Sequence, residues 1–168
     1  MKSKSAKKNP QKRNKLVFFI IPALVVICCG LVSRFAFQVA VVNGDSMNPA
    51  YHNFQFVLVD RRDRKFSDGD VVAIKIANGK SVIKRVAATP NETIIITDRK
   101  VIVNSKTSKL YADKTVDFSG IAGNEIQLKD NEYFVLGDNL QESRDSRYSD
   151  VGIIKEENII GKVLPQIK

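Results

Sequence analysis

Ser46 sits in the stretch Val41-Val42-Asn43-Gly44-Asp45-Ser46-Met47-Asn48-Pro49, where an apolar run gives way to a turn. Gly44 permits backbone angles closed to other residues, and Pro49 stops the segment from continuing as a helix or an inner strand. A hydroxyl on so stiff a turn can act as a nucleophile if another group takes its proton. The sequence offers two bases. His52, the only histidine, stands six residues further on, in a polar loop with no evident acid to orient it. Lys84 falls in the apolar segment Ser81-Val82-Ile83-Lys84-Arg85-Val86. A lysine among apolar side chains either snorkels to water or is kept for its chemistry. Burial lowers the pKa of the amine, and a neutral amine can accept a serine proton. Lys84 is therefore the better candidate. A third polar stretch runs from Gly137-Asp138-Asn139 to Ser143-Arg144-Asp145-Ser146-Arg147, and its mixture of small, acidic and basic residues suits a hydrogen-bonded platform beside a site. A single histidine cannot form a histidine metal cluster, and no zinc spacing or phosphate-binding loop occurs, so neither metal nor cofactor is expected.

The elements that must position these residues read as mostly β. Phe54–Val59 alternates in period two and is apolar at nearly every position, which predicts a strand buried on both faces. Val71–Ile76 and Ser81–Val86 flank Asn78-Gly79, a favoured pair for a two-residue hairpin turn. That turn would set Ala77 opposite Lys80, Ile76 opposite Ser81 and Ala73 opposite Lys84. Lys84 would then share a face with Val71, Ala73, Val82 and Val86, while Arg85 points the other way. Short strands are expected at 93–97, 100–103, 125–128, 132–136 and 159–163, with a helical turn at 155–158 and a polar loop or small cap over 104–124.

The net charge of +9 suggests nucleic-acid binding until it is located. Residues 1–15 carry seven basic residues and no acidic one, and the remainder holds 20 basic against 18 acidic. The excess belongs to a tail, so no basic groove for nucleic acid is expected in the folded part. Leu16 to Val32 follows, 17 residues without a charge. As a helix it spans roughly 26 Å, a little short of a bilayer core, and Arg34 and Phe35-Ala36-Phe37 can extend it into the interface. The run is apolar on every side, unlike an amphipathic core helix, and lacks a good small-x-small cleavage site. It is read as a membrane anchor over 16–38. The basic tail, 1–15, then lies in the cytoplasm and residues 39–168 lie outside the cell. Cys28 and Cys29 fall inside the apolar run, so the external domain folds without disulfides.

Taken together, these segments resemble the type I signal peptidases, membrane-anchored Ser/Lys proteases that remove signal peptides from exported proteins. Ser46-Met47-Asn48-Pro49-Ala50 stands where the family has its serine box, and Gly69-Asp70-Val71-Val72 where it has a Gly-Asp strand entry. Lys84-Arg85-Val86 matches its lysine box, and Gly137-Asp138-Asn139 with Ser143-Arg144-Asp145-Ser146-Arg147 matches its last box in full. The boxes keep the family's order over nearly the whole chain from the anchor on. The resemblance implies Ser46 as nucleophile and Lys84 as general base, with Ser143 orienting the amine. It further implies Asp145, Arg147 and Arg85 as an ion-paired frame. The Ser46 N–H would hold the oxyanion, in a neighbourhood that includes Met47, Gly44 and Asp45. Two positions depart from the pattern: Ala50 replaces the usual Thr, and Gly44 stands where some members carry a second oxyanion donor.

The fold implied is an antiparallel, coiled-sheet catalytic core with a small β cap inserted over about 88–134, preceded by one transmembrane helix. The implied partners are the signal peptides of preproteins, membrane lipid and, as a further candidate, the secretion translocon. Two other roles are related to this one: a pilus assembly factor that resembles signal peptidases, and a peptidase dedicated to pilins. The presence of both Ser46 and Lys84 counts against an inactive assembly factor. A self-cleaving Ser/Lys repressor would carry an Ala-Gly site ahead of its serine, whereas Ala122-Gly123 follows Ser46.

Overall fold

The computed structural model describes residues 18–27, 30, 35–77 and 79–165. It contains two units, Met1–Ala36 and Phe37–Lys168. In the first, residues 18–27 are helical and their large apolar side chains are exposed. Among the described residues no helix is long and apolar enough to cross a membrane. The basic tail, Cys28, Cys29 and Arg34 lie outside the described residues, so the anchor expected over 16–38 falls only partly on residues that are described. Its last two positions, Phe37 and Gln38, open the first strand of the second unit.

The described strands of the second unit are β1 (Phe37–Val41), β2 (Phe56–Asp60), β3 (Val71–Lys75), β4 (Ser81–Ala88), β5 (Thr93–Thr97), β6 (Lys100–Val103), β7 (Lys106–Thr107), β8 (Ile126–Gln127), β9 (Glu132–Leu136), β10 (Ile154–Lys155) and β11 (Ile159–Val163). A seven-stranded antiparallel sheet runs in the order β1-β2-β11-β3-β4-β9-β10. The small sheet β7-β6-β5-β8 is inserted between β4 and β9. The chain is thus mostly β, as its alternation and turn residues require.

Alternate residues of β3 serve two cores, as the period of a strand dictates. Val71 and Ala73 pack with Met47, Val57, Val59 and Ile83. Val72 and Ile74 pack with Phe66, Val86 and Tyr133 on the other side. A third cluster joins Ile94, Ile96 and Val101 of the small sheet to Phe134 and Leu136 of the large one. β1 and β4 lie four places apart in the large sheet, about 19 Å if it were flat. Yet Gln38 and Ala40 of β1 line one cavity together with Ser81 and Val82 of β4. The sheet therefore curls, and its inner face becomes the wall of a cleft.

Two expectations need correction. β2 is buried on one face only: Val57 and Val59 are 5 % and 1 % exposed, but Phe54, Phe56 and Leu58 are exposed. The core on that face gathers over β3, β4, β9 and β11, and among the described residues it does not extend over β2. The hairpin between β3 and β4 also closes differently. Ile76 N–H donates to Lys80 O and Gly79 N–H donates to Ile76 O, so the loop has three residues, with Gly79 at φ +81°. A glycine accepts that left-handed backbone without strain. The extra residue shifts the register by one, and Lys84 stands opposite Val72 rather than Ala73.

Candidate functional site

Ser46 is presented by a short turn fastened at several points. Gly44 takes φ +90°, and its N–H donates to Asn53 Oδ1 at 2.9 Å. Asn48 N–H closes the turn onto Asp45 O at 3.1 Å. Met47, next to the serine, is wholly buried in the inner core. Burying a side chain of that size stabilises by about 1.5–3 kcal/mol, so the turn is pinned to the sheet beneath it. On its far side, Asn139 N–H donates to Ser46 O at 3.0 Å, tying the turn to the segment that follows β9.

Lys84 comes from β4. Its Nζ lies 2.7 Å from Ser46 Oγ and donates to Ile83 O at 3.1 Å. The residue is 4 % exposed. Burial pushes its amine down to about 8, and the Arg147 guanidinium acts the same way. The carboxylates of Asp145 and Asp138 oppose the shift without cancelling it. An amine near 8 is partly neutral at physiological pH, whereas an ordinary lysine, near 10.4, is almost wholly protonated there. His52 is elsewhere in its contacts: its exposed ring bonds through Nδ1 to Asn48 Oδ1 at 2.8 Å.

Arg85, the next residue, makes a different set of contacts. Nε and Nη2 donate to the two oxygens of Asp138, each at 2.6 Å, and Nη1 donates to Gly69 O at 2.7 Å. This fork-to-fork geometry is the strong form of the carboxylate–guanidinium pair. Asp145 and Arg147 form a second pair, 0 % and 2 % exposed. Arg147 Nε donates to Asp145 Oδ1 at 2.8 Å, and Nη2 reaches Leu140 O at 2.7 Å and Ser143 O at 3.1 Å. Asp145 also accepts from Gly137 N–H at 3.0 Å. Ser146 exchanges bonds with Val135 of β9 through both its N–H and its Oγ, which continues the edge of the sheet. The hydroxyl of Ser143 is buried with no hydrogen-bond partner among the described residues.

Several contributors were not singled out as site residues on the sequence. Gly137 is one: a side-chain carbon there would collide with the Ser143 hydroxyl and lie 2.5 Å from Ser46 O. Only glycine lets the two segments approach so closely. Asp138 is another, since it neutralises Arg85, and Asn139 acts through its backbone. Lys114, from the insertion, donates to Asp138 O. A Gly-Asp-Asn run after an apolar strand was the available signal for the first three. Nothing in the local sequence marks Lys114.

The cleft beside Ser46 and Lys84 has a volume of about 200 Å³. It is walled by Gln38, Ala40 and Val42 on the β1 side, by residues 80–84 on the β4 side, and floored by Met47, Val59 and Ala73. A hydroxyl bonded to a desolvated amine at one end of a strand-walled cleft can attack the carbonyl carbon of an extended chain laid along it.

Comparison with known proteins places the chain in a family. The family model described as "Signal peptidase, peptidase S26" matches residues 13–166, so the chain belongs to that family, and it is an enzyme of the signal peptidase I kind. It is 30% identical to signal peptidase I S of Bacillus subtilis (strain 168), over 96% of this chain and 91% of that protein. It is 32% identical to signal peptidase I V of the same organism, over 89% of this chain and 96% of that one. A crystal structure of a signal peptidase I from Enterococcus faecalis V583 shares 26% identity with a TM-score of 0.46, covering 60% of this chain and 97% of that one.

Proposed function

We propose that this chain is a membrane-tethered serine endopeptidase that removes N-terminal signal peptides from exported precursors, cutting after Ala-x-Ala-like sites. The observation that carries the reading is the 2.7 Å approach of Lys84 Nζ to Ser46 Oγ inside a water-poor pocket. Neutral Lys84 takes the Oγ proton as Ser46 attacks the carbonyl carbon of the residue before the cut. The Ser46 N–H holds the oxyanion, and the ammonium of Lys84 returns the proton to the departing amine. A water activated by the same amine then releases the acyl group. The buried, unpartnered Ser143 hydroxyl is the group that would orient the amine. Asp145, Arg147, Arg85 and Asp138 keep the frame rigid.

The narrow apolar cleft suits small side chains at the first and third positions before the cut. Membrane tethering draws support from the outer side of β1 and β2. There Val39 pairs with Leu58 and Val41 with Phe56, all four exposed, with Phe54 beside them. A contiguous apolar patch of this kind favours contact with another apolar phase, and here a lipid surface fits. The full-length protein in detergent should cut a precursor bearing an Ala-x-Ala site, and the Ser46→Ala protein should not. An intact precursor after long incubation with the wild type would overturn the proposal.

A further inference from the structure

We infer that the open cavity beyond the Ser46 turn, between Ala50 and Lys114, is a leaving-side subsite that takes a carboxylate from the first two residues after the cut. The inference rests on the peptidase reading given above.

The position of the cavity supports it first. Its volume is about 360 Å³, and Pro49, Ala50, Arg85, Leu110, Lys114 and Asp138 line it. It shares no residue with the cleft, whose lining stops at Met47 on the turn and at Lys84 on β4. Pro49 and Arg85 take over from there. The register of β3 and β4 sets Ile83 opposite Ala73 and Arg85 opposite Val71, so both stand on the inner face with the Met47 core. Ile83 lines the cleft, and Arg85, two residues further along the same face, lines the second cavity. Asn139 N–H donates to Ser46 O at 3.0 Å, which holds the neighbouring Asp138 against the nucleophile turn. A peptide whose residues before the cut fill the cleft carries the residues after it past Ser46 toward this opening. At about 3.3 Å per residue, two extended residues cover roughly 7 Å, and a glutamate side chain adds to that reach.

The chemistry of the lining points to a carboxylate. Asp138 is the one acid in it, and Arg85 takes both of its oxygens. Arg85 and Lys114 against that single acid leave one net positive charge. Donors remain as well, since a guanidinium has five N–H groups and an ammonium three. Among the contacts of the described residues, Arg85 commits three, to Asp138 and Gly69 O, and Lys114 commits one, to Asp138 O. Lys114 Nζ also lies 5.6 Å from the centre of the Tyr111 ring, which keeps the ammonium at the cavity wall. Pro49, Ala50 and Leu110 form an apolar rim that suits the methylenes of a glutamate. Ala50, smaller than the threonine usual at that position, leaves the mouth open. A carboxylate is favoured in such a site, and lysine or arginine is repelled.

The test uses peptides that share one Ala-x-Ala site. Three carry Glu-Glu, Gln-Gln or Lys-Lys directly after the cut. A fourth carries Gln-Gln there and Glu-Glu at the sixth and seventh residues, out of reach of the cavity. For the full-length protein, kcat/KM should favour Glu-Glu over Lys-Lys by about three- to fivefold, the scale of an exposed charge pair, mainly through KM. Gln-Gln should fall between them, and the fourth peptide should match Gln-Gln. Lys114→Glu should reverse the order. Ala50→Glu, on the exposed rim, reads the same reversal if Lys114→Glu does not fold. Equal cleavage of the first three, a fourth peptide as good as the first, or a ranking unmoved by either variant overturns the subsite and leaves the peptidase reading standing. If wild type cuts none of the four, the peptidase reading fails, and affinities of the Ser46→Ala protein decide the site. Tighter binding of Glu-Glu than of Lys-Lys would uphold it, and equal affinities would overturn it.

Discussion

Lys84 and Arg85 are consecutive residues of one strand, and the molecule treats their charges in opposite ways. Arg85 is met by both oxygens of Asp138 and by Gly69 O, and these contacts hold its guanidinium more firmly charged. Lys84 is buried against a serine hydroxyl and a carbonyl, with no carboxylate in hydrogen-bond contact, and its amine falls to about 8. The alternation of a strand makes this division possible, since neighbouring side chains leave by opposite faces. Burial alone does not create a base, because a buried cation with a good partner stays a cation. The base requires burial and the diversion of nearby carboxylates onto other cations, here Asp138 onto Arg85 and Asp145 onto Arg147.

Breaking the contrast at Lys84 should have the largest effect. Lys84→Ala and Lys84→Arg should each lower kcat/KM by about 10³-fold or more, since alanine has no base and a guanidinium keeps its proton. Wild-type kcat/KM should rise with pH along a limb whose apparent pKa is about 8. Lys84→Arg cutting at near the wild-type rate, or His52→Ala abolishing cleavage, would show that the dyad is wrong.

Next comes the pair that occupies Asp145. Arg147→Ala leaves a buried carboxylate without a cationic partner and should cost about 3–5 kcal/mol, read by denaturant unfolding. With Asp145 no longer neutralised, the amine of Lys84 should be harder to deprotonate, and the basic limb should move above its wild-type position. If Arg147→Ala does not fold, Arg147→Gln, which also removes the charge but keeps a hydrogen-bond donor, reads the same shift. A limb that stays in place would mean that Asp145 does not act on Lys84.

The desolvated amine should also carry a stability cost. Its folded pKa lies below the unfolded one, so the unfolded chain binds the extra proton between about pH 8 and 10.4, and wild-type stability rises with pH through that window. Lys84→Met removes the cost. It should be more stable than wild type by up to about 3 kcal/mol below pH 8, and the gap should close as pH passes 10. A variant less stable than wild type at pH 7 would contradict a strained Lys84.

The smallest effect is expected at the fork. Asp138→Asn should destabilise by about 1–2 kcal/mol, because the pair is only partly screened from water. It removes a carboxylate that raises the amine of Lys84, so the basic limb should move below its wild-type position, opposite to Arg147→Ala. Limbs that shift in the same direction in both variants would break the comparison.

Much of this was legible in the chain because strands and turns are local. Alternation located β5, β6, β9 and β11, and the residue types of the Ser46, Lys84 and 137–147 segments marked the chemistry. The errors were all of relation. Asn78-Gly79 signalled a turn, but whether the loop holds two residues or three depends on how β3 and β4 settle against β11 and β9, and one residue moved Lys84 from Ala73 to Val72. The apolar residues of β2 suggested burial on both faces, but covering a face needs a second layer, and alternation cannot count layers.

By itself the sequence determined which residues could act: a serine on a stiff turn, a lysine in an apolar strand, and a segment able to hold ion pairs. Only the tertiary structure decided that Ser46 and Lys84, 38 residues apart, meet at 2.7 Å. It also decided that Arg85 takes Asp138, that Gly137 makes room for the Ser46 turn, and that β1 and β4 wall one cleft. The physical reason is that each of these depends on the curl of a sheet whose neighbours are distant in the chain. Strand propensity is set by a few adjacent side chains, whereas curl is set by the packing of the whole core.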